Sequence, residues 1–169
     1  MGGMSLIIET LIFFLPSYVA NGLPVTSCKI FKRRHPIDLG KNFIDGRRVL
    51  GDNKTIEGFF IGLLSGLLVG LILTLCGLHV IESSIVLVVG TLLGDLIGSF
   101  IKRRISLKPG SPLPLLDQMF FLVTAIAFHH IIVGPIEFNI VLYGVLITPI
   151  LHVSTNFIAY KFGLKSVPW

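Results

Sequence analysis

Charge is what this sequence has least of. Asp, Glu, Lys and Arg make up 14% of its 169 residues, against about 25% in soluble globular chains. The shortfall excludes an ordinary water-soluble domain. With 53% hydrophobic residues, the chain is not a disordered polymer either. Cysteine is nearly absent: Cys28 and Cys76 are the whole complement, too few for a disulfide-stapled scaffold. No basic residue precedes Lys29. The N-terminus therefore lacks the positive region that opens a Sec signal peptide, and the first apolar stretch is expected to stay in the mature protein. What the chain does have is apolar length, with a mean hydropathy of +0.87. At roughly 20 residues per crossing, it has room for at most about six membrane spans.

Five spans account for the uncharged stretches: residues 5–25, 57–77, 83–101, 114–133 and 138–160. The expected fold is all-α, a single polytopic membrane domain over residues 1–169. The basic residues then sort without exception. Eight lie between the first and second spans, four between the third and fourth, and two after the fifth, which accounts for all 14. Glu9, Glu82 and Glu137 lie near the other side. Basic loops stay in the cytoplasm, so the N-terminus is expected outside and the C-terminus inside. This also places Cys28 and Cys76 at opposite faces, too far apart to pair. Positive-inside topology accounts for the basic loops without any nucleic acid.

The loop between the first two spans runs to about 30 residues, far beyond the usual connection length. Ile37, Leu39, Phe43, Ile44, Val49 and Leu50 are scattered among its charges, a mix suited to a segment on the membrane surface. The chemistry is expected on this side. Gly58, Gly62, Gly66 and Gly70, then Gly90, Gly94 and Gly98, recur every fourth residue and form flat stripes for close helix packing. Gly94 and Gly98 flank Asp95, where a bare backbone also leaves room for a ligand.

Asp95 stands inside an apolar span, and an ionisable group at membrane depth is functional by default. Ser99 at i+4 and Lys102 at i+7 share its face; an internal Asp95–Lys102 pair is the structural alternative. Asp117 and Gln118 open the fourth span after Pro112 and Pro114, where a carboxylate also stabilises the helix dipole. A short hairpin joins the third and fourth spans, so Asp95 and Asp117 start from one membrane face. Two carboxylates at a cationic site suggest Mg²⁺ bridged to substrate phosphate. The stretch Gly51-Asp52-Asn53-Lys54-Thr55-Ile56-Glu57-Gly58 is not a P-loop, because Asn53 stands where a Walker motif needs Gly. It still offers a helix N-terminus with Lys54 and Thr55 to a phosphate, or Thr55 simply as a cap. Asn21, between Pro16 and Pro24, either binds a ligand or satisfies a broken backbone. His79, His129, His130 and His152 form no metal set and are expected to be interfacial or packed. His35 is expected to be solvated.

Over essentially its whole length the chain resembles the CDP-archaeol synthase family, archaeal relatives of the phosphatidate cytidylyltransferases. Pro16 to Pro24 resembles the first-helix motif, and Gly51 to Gly58, Glu57 included, the motif opening the second. Gly94-Asp95, Gly98, Ser99, Lys102 and Arg103 resemble the wider cytidylyltransferase signature, which ends here on Pro112, Pro114, Asp117 and Gln118. Gln118 replaces an Arg of the bacterial-type enzymes and their His-Gly-Gly element is absent, a departure that fits the ether-lipid branch.

The resemblance implies transfer of CMP from CTP to 2,3-bis-O-(geranylgeranyl)-sn-glycerol 1-phosphate in the cell membrane, from the cytoplasmic side. It implies Asp95 and Asp117 as Mg²⁺ ligands and Lys102 and Arg103 as catalytic cations. Asn21, Asn53, Lys54, Thr55, Glu57, Gly94, Gly98, Ser99, Pro114 and Gln118 would contact substrate. A CTP-dependent polyprenol kinase is the near alternative and a small ion transporter the distant one, although the inverted repeats expected of a transporter are missing. The small-residue stripes serve a monomer or a homodimer equally.

Overall fold

A computed structural model describes residues 3–108, 110–113, 116–165 and 167–168. The described residues are helical, with no strand beyond two isolated bridges, Pro36 with Thr55 and Asn42 with Arg48. Helix α1 (Gly3–Gly22) runs through Pro16 and ends before Pro24, which sits in a 3-10 turn (Leu23–Thr26) that continues into the short α2 (Ser27–Ile30). Helices α3 (Ile56–Leu75), α4 (Ile81–Arg104), α5 (Leu116–Ile132) and α6 (Phe138–Lys161) follow. Each lies within a few residues of its expected span.

Four segments are long and apolar enough to cross a membrane: Ser5–Ile30, Ile56–Leu75, Ile81–Arg104 and Phe138–Lys161. The fifth expected span, α5, has 17 residues, about 26 Å at 1.5 Å per residue, and is a shorter apolar helix. Helix α4 outruns its expected end because Lys102, Arg103 and Arg104 form its last turn, where cations meet the negative end of the helix dipole.

The bundle is built on backbone proximity. On α3, a Cβ added at Gly62 would lie 2.5 Å from the Ala20 carbonyl oxygen of α1, and one at Gly70 would lie 2.5 Å from the Ser84 Cβ of α4. A methyl group at either position forces the helices apart. Gly90 and Gly94 serve the α4–α5 contact in the same way, with Ala125 Cα at 2.8 Å and Phe121 Cα at 2.9 Å. The core follows these contacts. Phe14, Leu87, Phe121, Leu122 and Ala125 form one buried cluster, and Ala20, Val88 and Leu92 another. Helix α6 packs on α1 and α5. Its Gly144 receives the Phe14 ring, and Thr148 Oγ1 meets the Tyr18 hydroxyl at 2.9 Å. Pro149 follows, inside the helix, and the residues beyond it stand across a cleft from α3 and α4.

The long loop between α2 and α3 carries no helix. It folds around Asp38, whose side chain is 1% exposed. The carboxylate accepts from the backbone N–H groups of Gly40, Leu50 and Gly51, and from Arg48 Nη2 at 2.7 Å and Nε at 3.2 Å. Burial pushes its pKa up, but the guanidinium and the three amides together hold it well below the usual carboxylate range. Arg104 ties the loop to the end of α4. It reaches Asp45 at 2.7 Å and lies over the rings of Phe43 and Phe100.

At the end of the bundle away from this loop, His79 and His129 are packed and His130 is exposed, within the expectation of interfacial or packed histidines. His129 Nε2 meets Ser83 Oγ at 3.0 Å, and its Nδ1 meets the Gly134 carbonyl. His79 bridges the Phe13 carbonyl and Ser84. Cys28 and Cys76 are both free thiols.

Candidate active site

A cleft of about 980 Å³ lies at the basic end of the bundle, walled by α3, α4, the start of α5 and the last turns of α6, with the 3-10 turn and the loop at its edge. Its polar wall grows from three helix ends. Thr55 caps α3, its Oγ1 accepting from Gly58 N at 3.1 Å. The cap turns Lys54 toward α4, where its Nζ lies 2.5 Å from Asp95 Oδ2. On the other side, Lys102 Nζ donates to both oxygens of Asp117 at 2.9 and 2.8 Å. Asp117 also accepts from Leu113 N, which fixes it at the first turn of α5. The side chains of Asp95 and Asp117 remain 35% and 31% exposed, and both line the cleft.

The sequence placed Asp95 and Lys102 on one helix face, and they do share the cleft. Their ion-pair partners, however, come from elsewhere: Lys54 for the first and Asp117 for the second. Arg103 is the third cation. It is 6% exposed and lines the cleft. Its Nη2 donates to the Lys108 carbonyl at 3.1 Å, while Nε and Nη1 have no partner among the described residues. A buried guanidinium with two idle nitrogens is energetically costly until an anion meets it.

Twelve of the fourteen candidate catalytic and substrate-contacting residues line this one cleft. Asn21 comes from the end of α1, Asn53, Lys54 and Thr55 from the start of α3, and Gly94, Asp95, Gly98, Ser99, Lys102 and Arg103 from α4; Asp117 and Gln118 open α5. Gly94 has a double duty, since a Cβ there would also strike Thr124 at 2.8 Å. Glu57 does not belong with them. Its carboxylate faces away from the cleft walls to His35, accepting from the backbone N–H and meeting Nδ1 at 2.6 Å. His35 itself is solvated, as expected, with its side chain 67% exposed. Pro114 lies outside the described residues.

Sequence reasoning missed Arg34, Ser111, His152, Asn156 and Lys165, all of which line the cleft. Burial pushes the Lys165 ammonium below its ordinary value, with Asp117 opposing that shift. For His152 and Asn156 the signal was present, as two polar residues four apart in an apolar helix.

No group of three or more His, Cys, Asp or Glu side chains that could hold a metal occurs among the described residues. The donor set is instead two partly exposed carboxylates beside hydroxyls and carboxamides. This is the kind of set that holds Mg²⁺ only together with substrate phosphates.

Known proteins share this architecture. The CarS-like family, described as CDP-archaeol synthase, matches residues 4–169. A CDP-archaeol synthase of Pyrobaculum islandicum is 47% identical over 95% of this chain and 99% of its own length. One of Thermofilum pendens is 44% identical over 95% of this chain and 80% of its own. One of Methanocaldococcus jannaschii is 42% identical over 97% and 98%. A solved structure, described as an intramembrane enzyme for archaeal membrane lipids biosynthesis, superimposes with a TM-score of 0.77 at 36% identity, over 89% of this chain and 94% of that one.

Proposed function

Since the chain belongs to the CDP-archaeol synthase family, and is thus a membrane-embedded cytidylyltransferase of lipid biosynthesis, we propose that it transfers CMP from CTP to 2,3-bis-O-(geranylgeranyl)-sn-glycerol 1-phosphate. The products are CDP-unsaturated archaeol and pyrophosphate. The observation that carries this reading is Arg103, buried beside two lysine–aspartate pairs with two guanidinium nitrogens still to be satisfied. That arrangement suits a polyphosphate.

The reaction needs no strong general base, because a phosphate monoester is largely dianionic near pH 7 (second pKa about 6). A lipid phosphate oxygen attacks the α-phosphorus of CTP in line. The new P–O bond forms as the bond to the β-phosphate bridging oxygen breaks, and pyrophosphate leaves. The protein positions the two phosphates and neutralises their charge. Lys54 and Lys102 move from their carboxylates onto phosphate oxygens, and Arg103 receives the leaving pyrophosphate. Thr55 and Asn53 donate hydrogen bonds at the mouth of α3, and Ser99 does so from α4. Asp95 and Asp117 would hold Mg²⁺, which supplies further charge neutralisation when bound with the nucleotide.

Five membrane crossings, with α5 completing the count, put every basic segment on one side. By the positive-inside rule that side is the cytoplasm, where CTP is found. The apolar part of the cleft, with Pro24, Phe59, Leu92, Val153 and Phe157, suits isoprenoid chains entering from the bilayer. The cleft residues named above all come from one chain, so the proposed chemistry is written alike for a monomer and a homodimer.

Product identification tests the reading. Purified protein, CTP, the lipid phosphate and Mg²⁺ are expected to give a CDP-lipid with stoichiometric pyrophosphate, and EDTA is expected to stop the reaction. Release of CDP with a phosphorylated lipid would mean a kinase instead.

A further inference from the structure

The long loop carries a small hairpin that lies outside the cleft. Val49 N donates to the Lys41 carbonyl at 3.1 Å, Phe43 N donates to the Arg47 carbonyl at 2.7 Å, and Asn42 bridges Arg48 between them. The tip is Phe43-Ile44-Asp45-Gly46-Arg47, turned at Gly46 with φ +76°. It is ordered, yet its side chains do not suit water. Ile44 is 94% exposed, more than any other large apolar side chain among the described residues, and Phe43 is exposed beside it. One exposed apolar residue is ordinary on a protein surface. A fixed turn that holds out two in succession is the form of an interaction surface.

Its place on the bundle says what covers it. Helix α4 has two faces near its end. Asp95, Gly98, Ser99 and Lys102 line the cleft, whereas Ile97, Phe100, Ile101 and Arg104 recur on the opposite side and line none of it. Ile97 on that second face is exposed, as a lipid-facing side chain would be. The hairpin is fastened there. Phe43 meets the Phe100 ring edge-on at 5.2 Å, and the Arg104 guanidinium lies over both rings. Arg47 donates to the Arg104 carbonyl. Phe100 lies about 6 Å before Arg104 along the helix axis. The tip therefore sits beside the last turn of a membrane helix, at the depth where headgroups give way to acyl chains. The charges around it are unbalanced. Asp45, the tip's one carboxylate, is taken by Arg104, and Arg48 is taken by Asp38 and Asp52. Lys41 and Arg47, both exposed, have no carboxylate partner among the described residues.

We propose that this hairpin is a docking surface for an anionic bilayer, with Ile44 and Phe43 seated among the first acyl carbons and Lys41 and Arg47 on headgroup phosphates. The two halves of the contact support each other. Apolar side chains gain by leaving water at the headgroup boundary, and cations beside them gain from anionic lipid. Arg47 keeps guanidinium donors beyond the one given to Arg104, which suits a phosphate oxygen. Lys41 brings a flexible ammonium that reaches headgroups from either side of the tip. A protein partner could be drawn by the same apolar tip, but the tip is tied to the outward face of a membrane helix, where lipid is the solvent. The contact also holds the loop at a fixed height, because Ile37 N of the same loop donates to the Lys54 carbonyl at 2.8 Å, just before α3.

The test places a fluorescent probe at the tip. The full chain carries Ile44→Cys with Cys28→Ser and Cys76→Ser, is labelled, and is reconstituted in bilayers of mixed phosphatidylcholine and phosphatidylglycerol with no other protein present. One of the two lipids is brominated on its acyl chains in each sample. The probe is expected to be quenched by brominated lipid and shielded from acrylamide in water. The quenching curves are expected to show a preference for phosphatidylglycerol of about fivefold for each cation engaged, lost in Lys41→Gln/Arg47→Gln. A probe quenched by acrylamide as freely as the dye in water overturns the proposal and leaves the tip for a protein partner. Equal affinity for the two lipids overturns it as well. Native mass spectrometry of the unlabelled wild type covers the case in which the cysteine variant fails to fold. Wild type is expected to retain more phosphatidylglycerol than Lys41→Gln/Arg47→Gln, and equal retention overturns the headgroup contact. Neither measurement depends on turnover, so the outcome stands apart from the cytidylyl-transfer reading.

Discussion

Asp38 and Asp95 are both carboxylates beside a basic side chain near the same end of the molecule, yet they are built for opposite purposes. Asp38 accepts five hydrogen bonds and is 1% exposed. It has no capacity left for anything else. Asp95 meets one lysine and keeps 35% of its side chain open to the cleft, and Asp117 resembles it at 31%. A carboxylate saturated by amides from its own loop holds a fold together. One held by a single flexible lysine can exchange that partner for a substrate or an ion. Satisfaction, more than burial or charge, separates the structural carboxylate from the working one.

The sharpest way to break this contrast is to neutralise each kind in turn. Asp95→Asn and Asp117→Asn are expected to lower CDP-lipid formation by about 10³-fold with melting midpoints within a few degrees of wild type. Near-normal turnover in both would remove them from the site. Asp38→Asn is expected to do the reverse. Arg48 keeps its pair with Asp52, but an amide NH₂ set against the buried donors around Asp38 is expected to cost about 3 kcal/mol, read as a lower melting midpoint and faster proteolysis of the loop. Turnover per folded molecule is expected to change far less.

Arg103→Met isolates the idle guanidinium. It is expected to lower kcat/KM for CTP by about 10²-fold while leaving stability equal or improved, because a poorly satisfied buried charge is removed.

The acid limb gives a smaller effect. The folded-state pKa of Asp38 is depressed, so its contribution is complete above the unfolded value of about 3.9 and fades as pH falls through the folded one. Loop protection in hydrogen exchange is therefore expected to hold from pH 7 to about 5, to begin weakening only below the ordinary carboxylate range, and to lose that dependence in Asp38→Asn. Smallest of all is Glu57→Gln. Its carboxylate serves an exposed histidine outside the cleft, and turnover is expected to stay within about twofold.

The helices were legible because hydropathy reports them directly, and the small shifts at their ends have local causes. Pro24 breaks the first span into a 3-10 turn, and the basic last turn of α4 reads as loop in a search for uncharged runs. The membership of the site was legible too, since the clustered polar groups of α3, α4 and α5 all reach one cleft. The pairings were not. Asp95 finds Lys54, 41 residues away, and no helical periodicity encodes a contact between helices. Asp38 was invisible as a hub, one acid among several in a charged loop. Its hydrogen bond from Gly40 is a local turn signal, but the decisive donors at Arg48, Leu50 and Gly51 come from ten or more residues on. The four histidines of the apolar spans were expected to be interfacial or packed. His79 and His129 are packed, and His152 lines the cleft where α6 passes Pro149.

The two lysine–aspartate pairs also set the range over which the cleft can be felt. Joined at 2.5 and 2.8 Å, the four charges form two short dipoles, whose field falls off faster with distance than that of separate ions. A passing polyanion senses mainly the basic loop and tails, and that attraction is screened within about 8 Å at physiological salt. The full strength of the lysines is released only when a phosphate arrives close enough to displace a carboxylate. Added salt should therefore slow arrival at the enzyme while leaving the hold on a docked triphosphate comparatively untouched.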